Sequence, residues 1–256
     1  MSGVWNLGQS WKDKIVLLYL FFILRIMHAL NRSSLRKPRK VVLSFGGVHF
    51  SAIIEEISDI WVLEEIFASE EYKLPFSGIK SILDLGANTG MSACYFQSQY
   101  PDAKIFAFEP NPKVFDKMVD NVSSIKTIVP IQKAIYTKPD QLLEIFLRPG
   151  SHLGTSLFAT GEGIKVETET LDNFMAKNSL TVVDLIKFDI EGLEYDVFHQ
   201  FKGLGSVKYL IGEVHLDHFK KPLSDFLALF SDFEVVFQKG SKKRVTVALK
   251  NKNLAA

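Results

Sequence analysis

Residues 81–90 read SILDLGANTG. An apolar run, Ile82-Leu83-Asp84-Leu85, leads into three turn-forming positions, Gly86, Asn88 and Gly90. A buried strand that ends this way can bring its backbone close to a partner, because glycine has no Cβ to stand between them. In open α/β sheets ligands sit at the carboxyl ends of the strands, and the helix after such a loop offers free N–H groups. The spacing separates the candidate ligands. A dinucleotide site uses G-x-G-x-x-G, with the pyrophosphate on the helix start. Here Asn88 stands in the second glycine's place and Met91 in the third's. No Lys-Ser/Thr pair follows, which excludes a P-loop. The class that remains is an adenosyl group bearing an amino-acid tail. Asp84 would take its ammonium, and Asn88 and the loop backbone its carboxylate.

The next strand supports this reading. Residues 104–108 (KIFAF) lead into Glu109-Pro110-Asn111. A carboxylate at a strand tip about 20 residues after the loop can accept hydrogen bonds from two vicinal ribose hydroxyls. S-adenosylmethionine is therefore the cofactor expected.

Further out, apolar strands alternate with helices. After the glycine loop the pattern predicts a helix over 90–99, strand 104–108, helix 112–121 and strand 127–131. A hairpin near 141–147 and 164–168 comes next, then helix 171–177 and strand 182–188. Helix 193–201, strand 208–214, helix 222–230 and strands 233–238 and 244–249 complete the chain. Near-continuous apolar strands of this kind predict a mostly parallel sheet with helices on both faces. The last two strands are joined by QKGSKKR, which is too short for a crossover, so one edge strand should be reversed. Before the glycine loop, VVLSFGGVHFSAI (41–53) reads as two short strands, and 57–68 has helical apolar spacing.

The totals set outer bounds. The chain has 256 residues, 47% of them hydrophobic, enough for one sizeable core. A net charge of +1 argues against a molecule built around a polyanion, and no long basic stripe suggests nucleic acid as a partner. The one cysteine, Cys94, cannot form an intrachain disulfide, which fits a cytoplasmic location. No Cys/His cluster suggests zinc.

The N-terminus reads as a separate segment, 1–35, ahead of a domain spanning 36–256 whose hairpin and helix occupy 36–75. Residues 15–24, IVLLYLFFIL, are too few for a membrane span. Basic residues flank them from Lys12 to Lys40, with Asp13 the only acid. Three readings stand. The run is a signal peptide, although no good cleavage site follows. It is a helix packed on its own domain or on a second copy, giving a homodimer. Or it is an interfacial helix, with residues 12–40 at the inner face of a membrane.

A second constellation lies at 187–194, KFDIEGLE, and 212–215, GEVH. Asp189 and Glu191 close an apolar strand, and an acid in that position needs a partner or a task. If the two strands are neighbours, Asp189, Glu191, Glu213 and His215 line one mouth. Helix capping, acceptor binding with proton removal, and a divalent metal on Asp189 and Glu213 near His215 all fit. No metal is assigned. His152, in PGSHLGTS, reads as a loop histidine over that mouth.

DLGANTG, FEPNP (108–112), QKAIYT (132–137), ETETLDNF (167–174), LIKFDIEGLE (185–194) and IGEVH (211–215) together resemble the FkbM-type methyltransferases. The resemblance covers roughly residues 80 to 215. It implies the Rossmann-like class I fold with a seven-stranded sheet, and methyl transfer from S-adenosylmethionine to an oxygen on a sugar, glycan or natural product. It also implies cofactor contacts at Asp84, Gly86, Asn88, Gly90, Glu109 and Pro110, with Ala134 near the adenine. Asp189, Glu191 and His215 follow as catalytic candidates. The rivals are a Rossmann-type NAD-dependent oxidoreductase and an inactive scaffold at a membrane. Asn88 and Met91 oppose the first; the intact loop and Glu109 oppose the second.

Overall fold

The structure is a computed structural model that describes residues 3–32, 34–147, 155–156, 163–219 and 221–254. In chain order, helix α1 (Trp11–Ala29) precedes a hairpin, β1 (Ser34–Phe45) and β2 (Val48–Glu56). Helix α2 (Ile57–Leu63) runs into a π-helical turn, Glu64–Ala68. Then follow β3 (Ser81–Leu85), α3 (Met91–Gln99), β4 (Lys104–Phe108), α4 (Pro112–Val122), β5 (Ile128–Ile131) and β6 (Ala134–Ile135). Next come β7 (Leu142–Leu147), β8 (Thr155–Ser156), β9 (Gly163–Glu169), α5 (Leu171–Lys177), β10 (Val183–Phe188) and α6 (Glu194–Gln200). The chain closes with β11 (Val207–His215), α7 (Leu216–Phe219), α8 (Leu223–Leu227), β12 (Phe233–Gly240) and β13 (Arg244–Asn251).

The central sheet has seven strands in the order β12-β13-β11-β10-β3-β4-β5. From β11 through β5 every pairing is parallel. A single strand, β13, runs against the rest, antiparallel to both neighbours. The sequence reading put the reversed strand at the edge. It lies one place in, because β12 passes outside β11 and the short turn then lays β13 into the gap. The strand order reverses direction between β3 and β10, so the ends of these two strands flank the position where such sheets bind ligands. All six residues of β10 are buried, as expected for a strand covered on both faces.

Local signals set several helix starts. Ser10 and Asp13 cap α1 reciprocally. Asn111 caps α4, with Pro112 at the first turn. The hairpin expected near 141–147 and 164–168 is the antiparallel pair β7–β9. The hairpin β1–β2 is longer than the two short strands expected, because pairing continues out to Ser34 and Glu56. The division expected at residue 35 falls inside β1. Leu17, Leu20 and Leu24 of α1 are buried in the same cluster as Leu43 and Phe50 of the hairpin and Ile82 of β3. The N-terminal helix is thus one wall of the main core and does not stand apart from it. No described helix is long and apolar enough to cross a membrane.

Candidate active site

The glycine loop is fixed from below. Asp84 and Lys187 are register partners on adjacent parallel strands, so their side chains rise from the same face. Lys187 Nζ lies 3.1 Å from Asp84 Oδ1, with the two side chains 2% and 0% exposed. The same ammonium donates to the Gly86 carbonyl at 2.8 Å. Ser92 donates its hydroxyl to the other Asp84 oxygen at 2.6 Å. Asp84 is therefore engaged beneath the loop. It does not line the cleft, contrary to the expectation that it receives the cofactor's ammonium.

The two outer glycines serve different ends. Gly86 has φ +74°, and a Cβ there would stand 2.0 Å from the Asp189 carbonyl oxygen. It allows the loop to press against the end of β10. Gly90 has φ +84°, and a Cβ there would meet Val122 and Met118 of α4 at 2.8 and 3.0 Å. Its role is packing against α4; like Asp84, it does not line the cleft. Asn88 has φ +51°, a left-handed conformation that asparagine tolerates better than most residues. Its N–H donates to Glu109 Oε2 at 3.1 Å, while Asn111 N–H donates to Glu109 Oε1 at 2.8 Å. Each Glu109 oxygen so carries one backbone donor and keeps a lone pair for a ligand. Burial pushes the Glu109 carboxyl up to about 7, against the pull of those two N–H groups.

Above the loop a cleft of about 710 Å³, counting its open mouth, is lined by Gly86, Asn88, Glu109, Pro110, Ala134, Asp189 and Glu191 among others. Phe108, Ile135, Leu143 and Ile145 supply an apolar wall at the Ala134 end. A second chamber joins it at Gly86, Asn88 and Asp189, and is roofed by Val62, Glu65, Ile66 and Tyr72. The pre-loop segment thus builds part of the site. Asn121 ties these parts together, accepting from Ile53 N–H of the hairpin at 3.0 Å and donating to the Thr89 carbonyl at 2.9 Å.

At the rim, β10 and β11 bring the second constellation together. His215 is fully buried. Its Nε2 faces Glu213 at 3.1 Å, Glu191 at 3.3 Å and Asp189 at 3.8 Å. Its Nδ1 meets Glu194 Oε1 at 2.9 Å. That oxygen also accepts the Ile190 and Gly192 N–H groups, so Glu194 fixes both the turn and the ring. Burial opposes a charge on His215, but Glu194 and Glu213 outweigh it and hold its proton up to about 10. Burial also pushes the Asp189 carboxyl up, with Lys187 and His215 pulling the other way. Glu194, Lys187 and Asn121 were not singled out in the sequence. The acid three residues after Glu191 was the one local cue for Glu194. His152 lies outside the described residues.

A family model described as "Methyltransferase FkbM domain" matches residues 84–239, more than half of the chain. This chain belongs to the FkbM methyltransferase family. The chain is similar to the hexuronic acid methyltransferase AglP of Haloferax volcanii, 24% identical over 75% of this chain and 80% of that protein. The 2-O-methyltransferase NoeI of Sinorhizobium fredii is 28% identical over 68% of this chain and 80% of that protein. Among solved structures, the FkbM methyltransferase of Methylobacillus flagellatus aligns with a TM-score of 0.45 and 12% identity, over 72% of this chain and 47% of that one. The family model and these relatives make the chain a methyltransferase, as its motifs led one to expect, and the family implies S-adenosylmethionine as methyl donor.

The residues present fit that cofactor. Glu109 offers two spare lone pairs beside an apolar wall suited to an adenine ring. Asn88 Oδ1 is buried at the loop without a hydrogen-bond partner. A ligand carrying an amine or hydroxyl would satisfy it.

Proposed function

We propose that this chain transfers the methyl group of S-adenosylmethionine to a hydroxyl of a sugar, glycan or related natural product. The observation that carries this is one continuous cleft with a ribose-type carboxylate, Glu109, at one end and carboxylates at its rim. The names of AglP and NoeI support a hydroxyl-rich acceptor. Ala134 and the apolar wall would hold the adenine, Glu109 the ribose, and Asn88, through its unpaired Oδ1, the ammonium of the amino-acid tail. When bound, the cofactor supplies a methyl group already made electrophilic by the sulfonium. The protein's share is alignment, exclusion of water, and removal of the acceptor's proton. The carboxylates around His215 hold its proton up to about 10, which makes it a weaker candidate base than the acids beside it. Asp189 and Glu191 face the cleft and are the proton acceptors in this reading. The test is calorimetric titration of the full chain with S-adenosylhomocysteine, then turnover on free glycosides. Cofactor binding with methylated sugar supports the reading; failure to bind, with NAD bound instead, overturns it.

We also infer that α1 rests on an anionic lipid surface. Leu17, Leu20 and Leu24 face the core, yet Trp11, Ile15, Leu18, Tyr19, Phe22 and Ile26 form an exposed stripe on the opposite side. Exposed Lys12, Lys14, Arg25 and Arg32 flank it, and Arg36, Lys37, Arg39 and Lys40 follow on β1. An apolar stripe bordered by cations fits acyl chains beneath acidic headgroups.

A further inference from the structure

The rim cluster has a property that proton transfer alone does not use. One ligand atom each from Asp189, Glu191 and His215 lie within 4.8 Å of one another. Atoms around a single divalent cation with bonds of about 2.1 Å are separated by roughly 3 to 4.2 Å, so small side-chain adjustments suffice. His215 is fully buried, and its Nε2 is aimed among the carboxylates yet has no hydrogen-bond partner. The carboxylates approach it at 3.1 to 3.8 Å without completing a hydrogen bond to it.

The other ring nitrogen explains the aim. Nδ1 lies 2.9 Å from Glu194 Oε1, which already accepts two backbone N–H groups. Donation from Nδ1 leaves Nε2 as the position where an entering cation would displace a proton. A carboxylate holding one ring nitrogen while the other is presented is how metal-binding histidines are oriented. Glu213, 3.1 Å from Nε2 and paired with Arg244 at 3.3 Å, is close enough to hold a water on the ion.

We propose that Asp189, Glu191 and His215 form a divalent-cation site at the cleft rim, with the remaining positions open to the hydroxyls of the acceptor. One nitrogen and two carboxylates suit Mn²⁺, Fe²⁺ or Mg²⁺ better than a thiol-seeking metal. Asp189 and Glu191 also line the cleft, so an ion there touches the space next to the loop. A vicinal diol would bind through both oxygens, and the second oxygen of each carboxylate would still accept a hydroxyl hydrogen. The site would thus position a polyol acceptor without a dedicated sugar pocket. The acceptor's part in this rests on the methyl-transfer reading; the cation site does not.

The experiment uses the full chain, stripped with EDTA, and Mn²⁺ as the probe, followed by electron paramagnetic resonance and calorimetry. One Mn²⁺ should bind per chain, and Glu191→Gln and Asp189→Asn should each weaken it about tenfold or more. Glu191 is partly exposed, so its variant keeps the fold; thermal melts check both. The same stripped samples are titrated with S-adenosylhomocysteine. Binding of S-adenosylhomocysteine without Mn²⁺ binding overturns the cation site and leaves the methyl-transfer reading intact. Mn²⁺ binding that both variants retain also overturns it. Mn²⁺ binding lost in the variants, with no S-adenosylhomocysteine binding, upholds the site and sinks the methyl-transfer reading.

Discussion

Lys187 and Asp84 meet 3.1 Å apart beneath the glycine loop, both almost wholly out of solvent. The pair also carries the Gly86 carbonyl and the Ser92 hydroxyl. Removing one partner strands a buried charge. Lys187→Met should cost roughly 3–5 kcal/mol in urea unfolding. It should also weaken S-adenosylhomocysteine binding, because the loop loses its support. Unchanged stability would show that the pair is not formed in solution.

Glu109 makes a pH prediction. In the folded chain it holds its proton to about 7, against an ordinary value of 4.5. Between those values the folded state binds more protons than the unfolded state. Its contribution to stability therefore falls as pH rises through that window. Ribose hydroxyls donate to the charged form, so ligand affinity runs the other way. S-adenosylhomocysteine should bind about tenfold more weakly for each unit below the Glu109 value and level off above it. Glu109→Gln should bind weakly at every pH. A wild-type profile that is flat from acid to neutral pH would show that the carboxylate is not the contact.

The two glycines should separate by experiment. Gly86→Ala drives a methyl group into the Asp189 carbonyl and should abolish cofactor binding. Gly90→Ala crowds the side chains of Val122 and Met118, with backbone no nearer than 3.9 Å. It should cost about 1–3 kcal/mol of stability through strain and crowding while the folded fraction still binds. Melts and calorimetry on both variants decide; equal binding loss in the two would refute the division.

Glu194→Gln tests the orientation of His215. It keeps the volume but weakens acceptance of three donors at one oxygen. The expected result is a loss of about 2 kcal/mol, with the Nδ1 proton resonance of His215 shifted in NMR spectra. A spectrum like the wild type's would mean that Glu194 does not hold the ring.

For α1 the measurement is flotation with vesicles containing phosphatidylserine. Wild type should float, and Phe22→Glu with Ile26→Glu should remain in the dense fraction, since both side chains are more than half exposed. Removing residues 1–35 is the poorer test, because it strips Leu17, Leu20 and Leu24 from the core. Flotation of the double variant, or a stable dimer with no flotation, would refute the lipid reading.

Much of this site is local, and what is local was legible in the chain. The alternation of apolar strands and helices, the glycine loop after β3 and the acid after β4 depend on short-range periodicity and on backbone freedom at single residues. They are enough for the α/β class, the cofactor type and the family. Which face a polar residue serves depends on which strands become neighbours and in what register. Asp84 looks like a ligand group until β10 places Lys187 beside it. Gly90 looks like part of the cradle until α4 packs on it. Glu194 and His215 stand 21 residues apart and meet only because β10 and β11 pair in parallel, so that their carboxyl ends lie side by side. The apolar N-terminal run was bound to form a helix with hydrophobic surface to cover. That one face closes the core and the other stays exposed was settled by packing, since a helix can bury only the stripe its neighbours reach.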